Sequence, residues 1–328
     1  MVVHRLGRLD QRLGEAHRAD EVAALEALRD RLPLPLPARQ AGEPLLDLDI
    51  AEERHPELCC HDDTVDATSE PHPTLWHISV SHYSEKARWA LDHKRIPHSR
   101  RAVAVPGLHI LASIWMTRGA SKTYPVLEID GRRIGDSTEI IAVLEEHFPE
   151  RPLYPEDPEQ RRRALELEDF FDEELGPHLR LLAFHELGND PERFEAVIER
   201  TTPGPLTSIG SGAVAYARTY TGLRFGVRSE EAAALARTKI VAALDRLEAE
   251  LDSGEYLVGD SFGVADLTAA ALFYPLVLPD EGPLAGDEPP PAGLAEFRAP
   301  LEERPGYRWV EETFRRHRDA PVPVGARA

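Results

Sequence analysis

Residues 75–148 constrain the fold more than any other part of the chain. They read LWHISV, then SHYSEKARWALDHK, and after a gap TYPVLEIDGRRIGDSTEIIAVLEEHF. The apolar run at 75–80 is bounded by Pro73 and Ser81, which marks a strand. The Ser81-His82-Tyr83-Ser84 cluster then opens an Ala- and Lys-rich helix reaching Lys94, with Ala87, Ala90 and Leu91 on one face and Ile96-Pro97 ending it. Pro125 starts a second apolar run, Asp130-Gly131 turns it back, and Asp136-Ser137 opens another helix. Each helix therefore begins at a strand end with hydroxyl or acidic residues. Free backbone N–H groups and positive dipole ends collect there, an arrangement suited to an anionic small molecule.

The element order is β-α-β-α-β-β-α. A second strand fits residues 99–105, and a short helix fits 107–117. Asp130-Gly131 tolerates the positive φ angles of a type I′ turn, so 125–134 reads as a hairpin. Pro125 has no N–H for the ladder and belongs at a strand start or edge. Asp136 and Glu139 form a capping-box-like pair, and Ile140, Ile141, Leu144 and Phe148 form the buried stripe of the helix they open.

This order and these residues resemble the cytosolic glutathione transferase superfamily, strongly over 75–148 and more weakly over 160–275. The resemblance implies an α/β plus all-α chain: a thioredoxin-like N-terminal domain (74–150) followed by an all-helical C-terminal domain (159–318). Ser81 to Arg88 is similar to the family pattern S/C-P-x-x-x-K/R-x-R, which puts Ser81 at the catalytic position, with Ser84 second and Tyr83 third among candidate hydroxyls. Tyr124-Pro125-Val126-Leu127 matches the segment in which a cis-proline begins the third strand. Asp136-Ser137 matches the acidic-Ser pair that binds the γ-glutamyl end of glutathione. Tyr124, Pro125, Asp136, Ser137 and Lys122 are thus the implied glutathione-binding residues. Two departures stand out: His82 replaces the usual proline, and Lys122 lies three residues before Pro125 rather than two. A tyrosine-type enzyme is not implied, because the corresponding position falls near His77. The implied chain is a Ser-type bacterial member carrying an N-terminal extension.

The chemistry can be stated without the family. A free thiol with a pKa near ~8.5 is mostly protonated at neutral pH, and only the thiolate is a good nucleophile. Lowering that pKa by about two units takes roughly 2.7 kcal/mol of preferential anion stabilisation. A hydroxyl donor supplies roughly 1.5–3 kcal/mol to a charged acceptor, and a helix N-terminus about 0.3–1 kcal/mol. One serine at a helix start therefore suffices. Each residue alone also fits an ordinary cap, packing or surface position: Ser81 and Ser84 as N-caps, Tyr83 as a packed or half-exposed aromatic, His82 as a surface residue. It is their joint order and spacing that points to a site.

Composition sets the class. The 328 residues suffice for about two domains, and 58 acidic against 38 basic side chains give a net charge of −20, which argues against nucleic acid or an anionic membrane as partner. No apolar run reaches the ~18 residues of a membrane span, and no signal-peptide core is visible. With two cysteines there is no disulfide framework, so a cytoplasmic setting is expected. Cys59 and Cys60 are adjacent, flanked by His55, His61, Asp62 and Asp63, but lack the spacer usual in zinc sites, so no metal site is expected; an oxidisable pair in a flexible segment is.

Residues 1–73 lie outside the resemblance. Leu6, Leu9, Leu13, Val22, Leu25, Leu28 and Leu32 recur at helical spacing, Leu-Pro repeats at 32–37 form a polyproline-like strip, and an acidic linker follows. The segment reads as a packing arm, or alternatively as a cover or dimer contact. After prolines 149, 152, 155 and 158 the chain is helical, at about 159–187, 191–200, 211–220, 229–252, 264–278 and 306–318. Arg161 to Arg163 form a solvated first turn; the resemblance implies that Phe170 or Phe171 lines the electrophile cleft, while burial between helices is the other reading. Gly263 and Asp266 cap a core helix, while Asn189 to Arg228 and Pro279 to Pro300 read as lids or loops. The resemblance implies glutathione as cosubstrate, a small hydrophobic electrophile and a homodimer. A non-catalytic binding protein, or an enzyme using another low-molecular-weight thiol, is the alternative.

Overall fold

The computed structural model describes residues 72–103, 113–119, 121, 123–201, 219, 229–251, 254–284 and 289–318. The chain divides into two units, Met1–Val65 and Asp66–Ala328, and every described residue belongs to the second. The expected N-terminal helices, the polyproline strip, Cys59-Cys60 and Lys122 lie outside the described residues. So do the helix expected at 211–220, apart from Thr219, and residues 104–112.

Four short strands form one sheet. β1 (Thr74–His77), β2 (Ser99–Ala102), β3 (Val126–Ile129) and β4 (Arg132–Gly135) lie in the order β2-β1-β3-β4. β1 and β2 are parallel, and the other pairs are antiparallel. Asp130 and Gly131 have φ of 49° and 72°, the two positive angles a type I′ turn demands. The strands are shorter than the apolar runs that encode them. Ile78 to Val80 leave β1 because their backbone groups are bound by side chains rather than by the ladder, as set out below.

Two helices pack on the sheet, α1 (His82–His93) and α2 (Ser137–His147). Ala87, Ala90, Leu91, Ile140, Ile141 and Leu144 are buried with Leu75 and Leu127, as their spacing requires. Phe148, the C-cap of α2, is partly buried and packs against the same core. Residues 113–116 form a single helical turn within the short helix expected at 107–117. The linker that follows is fixed: Leu153 and Tyr154 are buried, and the Lys94 ammonium donates to the Phe148 carbonyl at 2.8 Å while pairing with Glu145 at 2.6 Å.

The rest is helical: α3 (Pro158–Phe170), α4 (Gly176–Gly188), α5 (Pro191–Thr201), α6 (Glu230–Leu251), α7 (Val264–Val277), α8 (Ala292–Arg298) and α9 (Pro305–His317). The expected single helix at 159–187 is divided by a π-helical turn, Phe171–Leu175. α8 falls in the proline-rich stretch expected to be loop, because Pro291 stands at its N-cap, where a proline costs nothing. Every residue of α7 is buried, and it forms the axis on which α1, α3 and α9 pack. Its start is capped as expected: the Asp266 carboxylate accepts from Gly263 N at 2.9 Å and from Leu257 N at 2.8 Å. Arg161 and Arg162 are exposed in the first turn of α3, and Phe171 is fully buried while Phe170 is partly so. No helix among the described residues is long and apolar enough to cross a membrane, and none of their His, Cys, Asp and Glu side chains group as a metal site.

Candidate active site at one end of the sheet

Strand direction and register bring the expected site residues to one sheet end. β1 runs toward Ser81. β3 is antiparallel to it with Trp76 opposite Val126, so Pro125 falls beside the end of β1. Val126 in turn faces Gly135, so Asp136 falls beside Pro125. The turn carrying Ser81, the start of β3 and the end of β4 are consecutive along that edge. The first turns of α1 and α2 are also tied directly, by the Lys86 ammonium on the Thr138 hydroxyl at 2.9 Å.

Ser81 is the N-cap of α1, with φ −83° and ψ 126°, and its Oγ accepts from Ser84 N at 3.3 Å. Accepting that bond leaves the hydroxyl proton to point elsewhere, and among the described residues it is donated to none. The turn before it is clamped. The Arg88 guanidinium donates to the carbonyls of Ile78 (3.3 Å) and Ser79 (3.0 Å), Ser81 N bonds Ile78 O at 3.1 Å, and the Tyr274 hydroxyl donates to Val80 O. Ser84 completes the clamp: it is wholly buried and its Oγ accepts from Ile78 N at 3.2 Å.

Tyr83 is half-buried and points toward the helical domain, where its hydroxyl donates to the Asp172 carbonyl at 2.8 Å. Burial drives its pKa up, above the usual phenol range. Its hydroxyl occupies the space a side chain at Gly176 would need, since a Cβ there would lie 2.2 Å from Tyr83 Oη. Alanine would gain about 1 kcal/mol of helix propensity but overpacking costs about 1–3 kcal/mol. Gly176→Ala is thus expected to lower the denaturant midpoint without changing its slope.

His82 is not at the surface as expected. It is 4 % exposed, beneath the first turn of α4, with its ring 4.5 Å from that of Tyr83. Burial first, then the Arg180 charge, lowers its pKa to about 3, so it is neutral at physiological pH. A neutral imidazole is compatible with a position where proline is usual, because both keep the domain boundary uncharged.

The Tyr124-Pro125 peptide bond is cis, and Tyr124 is buried with its hydroxyl 3.6 Å from the Met116 sulfur. Asp136 is exposed, has φ 77°, and its Oδ1 accepts from Thr138 N (2.9 Å) and Glu139 N (3.4 Å). A non-glycine residue at such φ costs of order 1–3 kcal/mol and persists where its surroundings hold it, commonly at ligand clamps. Ser137 is buried beside it in the first turn of α2.

One buried charged cluster escaped sequence reasoning. The Lys86 side chain is fully buried, with its ammonium 2.5 Å from Asp172 Oδ2, 2.8 Å from Glu168 Oε1 and 2.9 Å from Thr138 Oγ1. It joins α1, α2, α3 and the π-helical turn in one knot. Burial raises the Glu168 pKa against the opposing pull of Lys86. The available signal was the basic position five residues after Ser81 in the Ser81–Arg88 pattern, whose partners lie far along the chain.

Residues 75–152 match the glutathione S-transferase N-terminal domain, and residues 228–303 match the glutathione S-transferase C-terminal domain. The chain belongs to the cytosolic glutathione transferase superfamily. The thioredoxin-like sheet and the helical domain described above are those of this superfamily, and glutathione is its cosubstrate. Among curated proteins, the chain is 27 % identical over 214 residues to the maleylacetoacetate isomerase of Dictyostelium discoideum, covering 63 % of this chain and 80 % of that one. It is 25 % identical over 129 residues to a probable maleylacetoacetate isomerase 2 of Drosophila melanogaster, covering 39 % of this chain and 57 % of that one. Among solved structures, the glutathione S-transferase of Pseudomonas fluorescens shares the fold, with a TM-score of 0.50 at 17 % identity over 77 % of this chain and 99 % of that one.

Proposed function

We propose that the protein is a glutathione-dependent enzyme in which the Ser81 hydroxyl donates to the sulfur of bound glutathione and holds it as thiolate for attack on a small apolar electrophile. The observation that carries this reading is the state of the three candidate hydroxyls. Ser84 is buried and engaged with the turn, and Tyr83 spends its proton on Asp172. Ser81 alone among them is the N-cap of α1, only partly buried, and among the described residues its proton is donated to none.

The cosubstrate fits the sheet end. Strands lie about 4.8 Å apart, so the edge from the end of β1 to the end of β4 spans roughly 10 Å. A three-residue peptide extends over about the same length. With the sulfur at Ser81, the cysteinyl backbone lies against Tyr124 and Pro125, and the γ-glutamyl end meets Asp136, Ser137 and the start of α2. Asp136 offers a carboxylate for the ammonium of that end, and the N–H groups of α2 offer partners for its carboxylate.

The electrophile class is open to two forms. If the thiolate adds to carbon and a leaving group departs, the product is a conjugate. If it adds to an activated double bond and leaves again after rotation, the net result is isomerisation with glutathione regenerated. The two isomerase relatives favour including the second form.

Asp136→Asn tests the binding arrangement. Asn caps helices as well as Asp and accepts positive φ, so stability should hold while the charge is lost. Calorimetry should show glutathione affinity reduced about tenfold or more, the worth of a charge-assisted bond. Equal affinity for the two proteins would remove Asp136 from the site. Full affinity with no turnover of aryl halides or activated alkenes would instead favour a non-catalytic binding protein.

A further inference from the structure

The C-terminal end of α9 is embedded in the thioredoxin-like domain. Trp89, fully buried in α1, donates its indole N–H to the His317 carbonyl at 2.9 Å. Arg318 follows, with its side chain 9 % exposed and its guanidinium 5.7 Å from the Trp89 ring. It donates to Glu85 Oε1 at 2.5 Å and to Asp92 Oδ2 at 2.8 Å, one helical face of α1 apart. Both carboxylates are buried, at 1 % and 0 % exposure.

Glu85 has a second duty. Its other oxygen, Oε2, accepts from Arg88 Nε at 2.7 Å. The remaining nitrogens of Arg88 face His77 Nδ1 at 2.8 Å and the carbonyls of Ile78 and Ser79. Those carbonyls belong to the turn that delivers Ser81. A continuous chain of buried charged bonds thus runs from residue 318 to the Ser81 turn, across 233 positions between Arg318 and Glu85.

We infer that Arg318 is a positioning residue for Ser81, acting through Glu85 and Arg88; this rests on the reading of Ser81 given above. Each Glu85 oxygen currently serves one arginine. Without Arg318, both oxygens face a single cation, and a carboxylate with one partner recruits the bidentate fork of that arginine. Arg88, already on Glu85 through Nε, forms that fork by rotating so that an Nη group also reaches the carboxylate, which draws its Nη groups from their present alignment on the Ile78 and Ser79 carbonyls. The turn then loses the Arg88 part of its clamp, and the hydroxyl at its end shifts from the sulfur. Displacements of about 1 Å at a reacting centre can cost as much as 10²-fold.

The experiment compares full-length wild type, Arg318→Met, Arg318→Lys, Ser81→Ala and a control, Arg304→Met. Arg304 pairs with Asp245 and Glu248 at the opposite end of the same helix, remote from the turn. The readout is the pKa of bound glutathione, followed by the ultraviolet absorbance of its thiolate at saturating peptide, alongside the melting temperature. Arg318→Met is expected to raise that pKa by about half a unit to one unit, a threefold to tenfold loss of thiolate at neutral pH. Glutathione affinity at a pH where the thiol is protonated should stay within about twofold of wild type, because Asp136 and Ser137 are untouched. Arg318→Lys keeps the charge without the fork and should lie between the two; it also serves if the methionine variant fails to fold. Arg304→Met should lower the melting temperature with no change in the thiol pKa. A thiol pKa unchanged in Arg318→Met, or in Arg318→Lys should the former not fold, would reduce Arg318 to a structural ion pair and overturn the inference. A thiol pKa unchanged in Ser81→Ala would overturn the reading of Ser81 itself.

Discussion

Ser81→Ala should cut turnover by about 10²–10³, the loss expected when one preorganised donor is removed from a developing or bound anion. The substitution deletes the one candidate hydroxyl that is partly buried at the N-cap of α1 and, among the described residues, donates its proton to none. It also removes the N-cap of α1, at a cost of about 1 kcal/mol. That cost will not unfold the helix, whose inward face is fixed by Ala87, Trp89, Ala90 and Leu91 and by the Lys86 and Arg88 networks. Two further variants separate capping from chemistry. Ser81→Thr retains cap and donor and should retain activity within about tenfold. Ser81→Asp retains the cap but sets a carboxylate against the thiolate, so it should fold as well as wild type and be at least as inactive as the alanine variant. Steady-state rates across pH, with glutathione saturating, check all three. The acidic limb of the profile should move to higher pH in Ser81→Ala, because less of the bound thiol is ionised.

Lys86→Met should destabilise the protein by about 3–5 kcal/mol at neutral pH, the range for breaking a buried ion pair by removing one member. Lys86 is the one cation within bonding distance of Glu168 and Asp172 among the described residues, and its removal leaves two carboxylates facing each other in a buried knot. The pH dependence of that loss has a definite sign. Glu168 already titrates above its usual range because burial outweighs the attraction of Lys86. Without the lysine it rises further. A carboxyl whose folded pKa exceeds its unfolded one stabilises the folded state most at low pH and loses that contribution as pH rises. The penalty of Lys86→Met should therefore be largest at and above neutral pH and shrink on acidification toward the ordinary carboxyl range. Urea denaturation of the wild type and variant at two pH values measures this. A penalty independent of pH would mean that the carboxylates are neutralised by something other than Lys86.

The parts of the fold that were legible in the chain are those governed by neighbours in sequence. Asp130-Gly131 sets a turn by its own φ angles, Asp136 caps the helix it precedes, and the apolar stripe of α2 needs only helical periodicity. The candidate site was read from the same kind of signal, since Ser81, Pro125 and Asp136 each sit near a strand end. What escaped was set by partners far along the chain. Lys86 finds its partner in Asp172, 86 positions away, which no local pattern announces. His82 reads as a surface residue, yet α4 covers it. The π-helical turn at Phe171–Leu175 interrupts an unbroken helical pattern, and it carries the Asp172 carbonyl and carboxylate that bind Tyr83 and Lys86. α8 was hidden by composition: prolines mark loops in general, but at a helix start they are neutral.

The division of labour among hydroxyls has a physical basis. Ser81 and Ser84 are one helical turn apart, so one can cap the helix while the other reaches back to the turn. Serving the backbone in this way fixes Ser84 in the interior. Ser81 is only partly buried, and among the described residues it accepts one bond and donates none.

A crystal structure of the complex with glutathione tests the central claim most directly. The account requires the glutathione sulfur within about 3.5 Å of Ser81 Oγ, the hydrogen-bond range widened slightly for sulfur, with the γ-glutamyl end at Asp136 and Ser137. A peptide bound elsewhere, or seated at Asp136 with its sulfur turned away from Ser81, would contradict it.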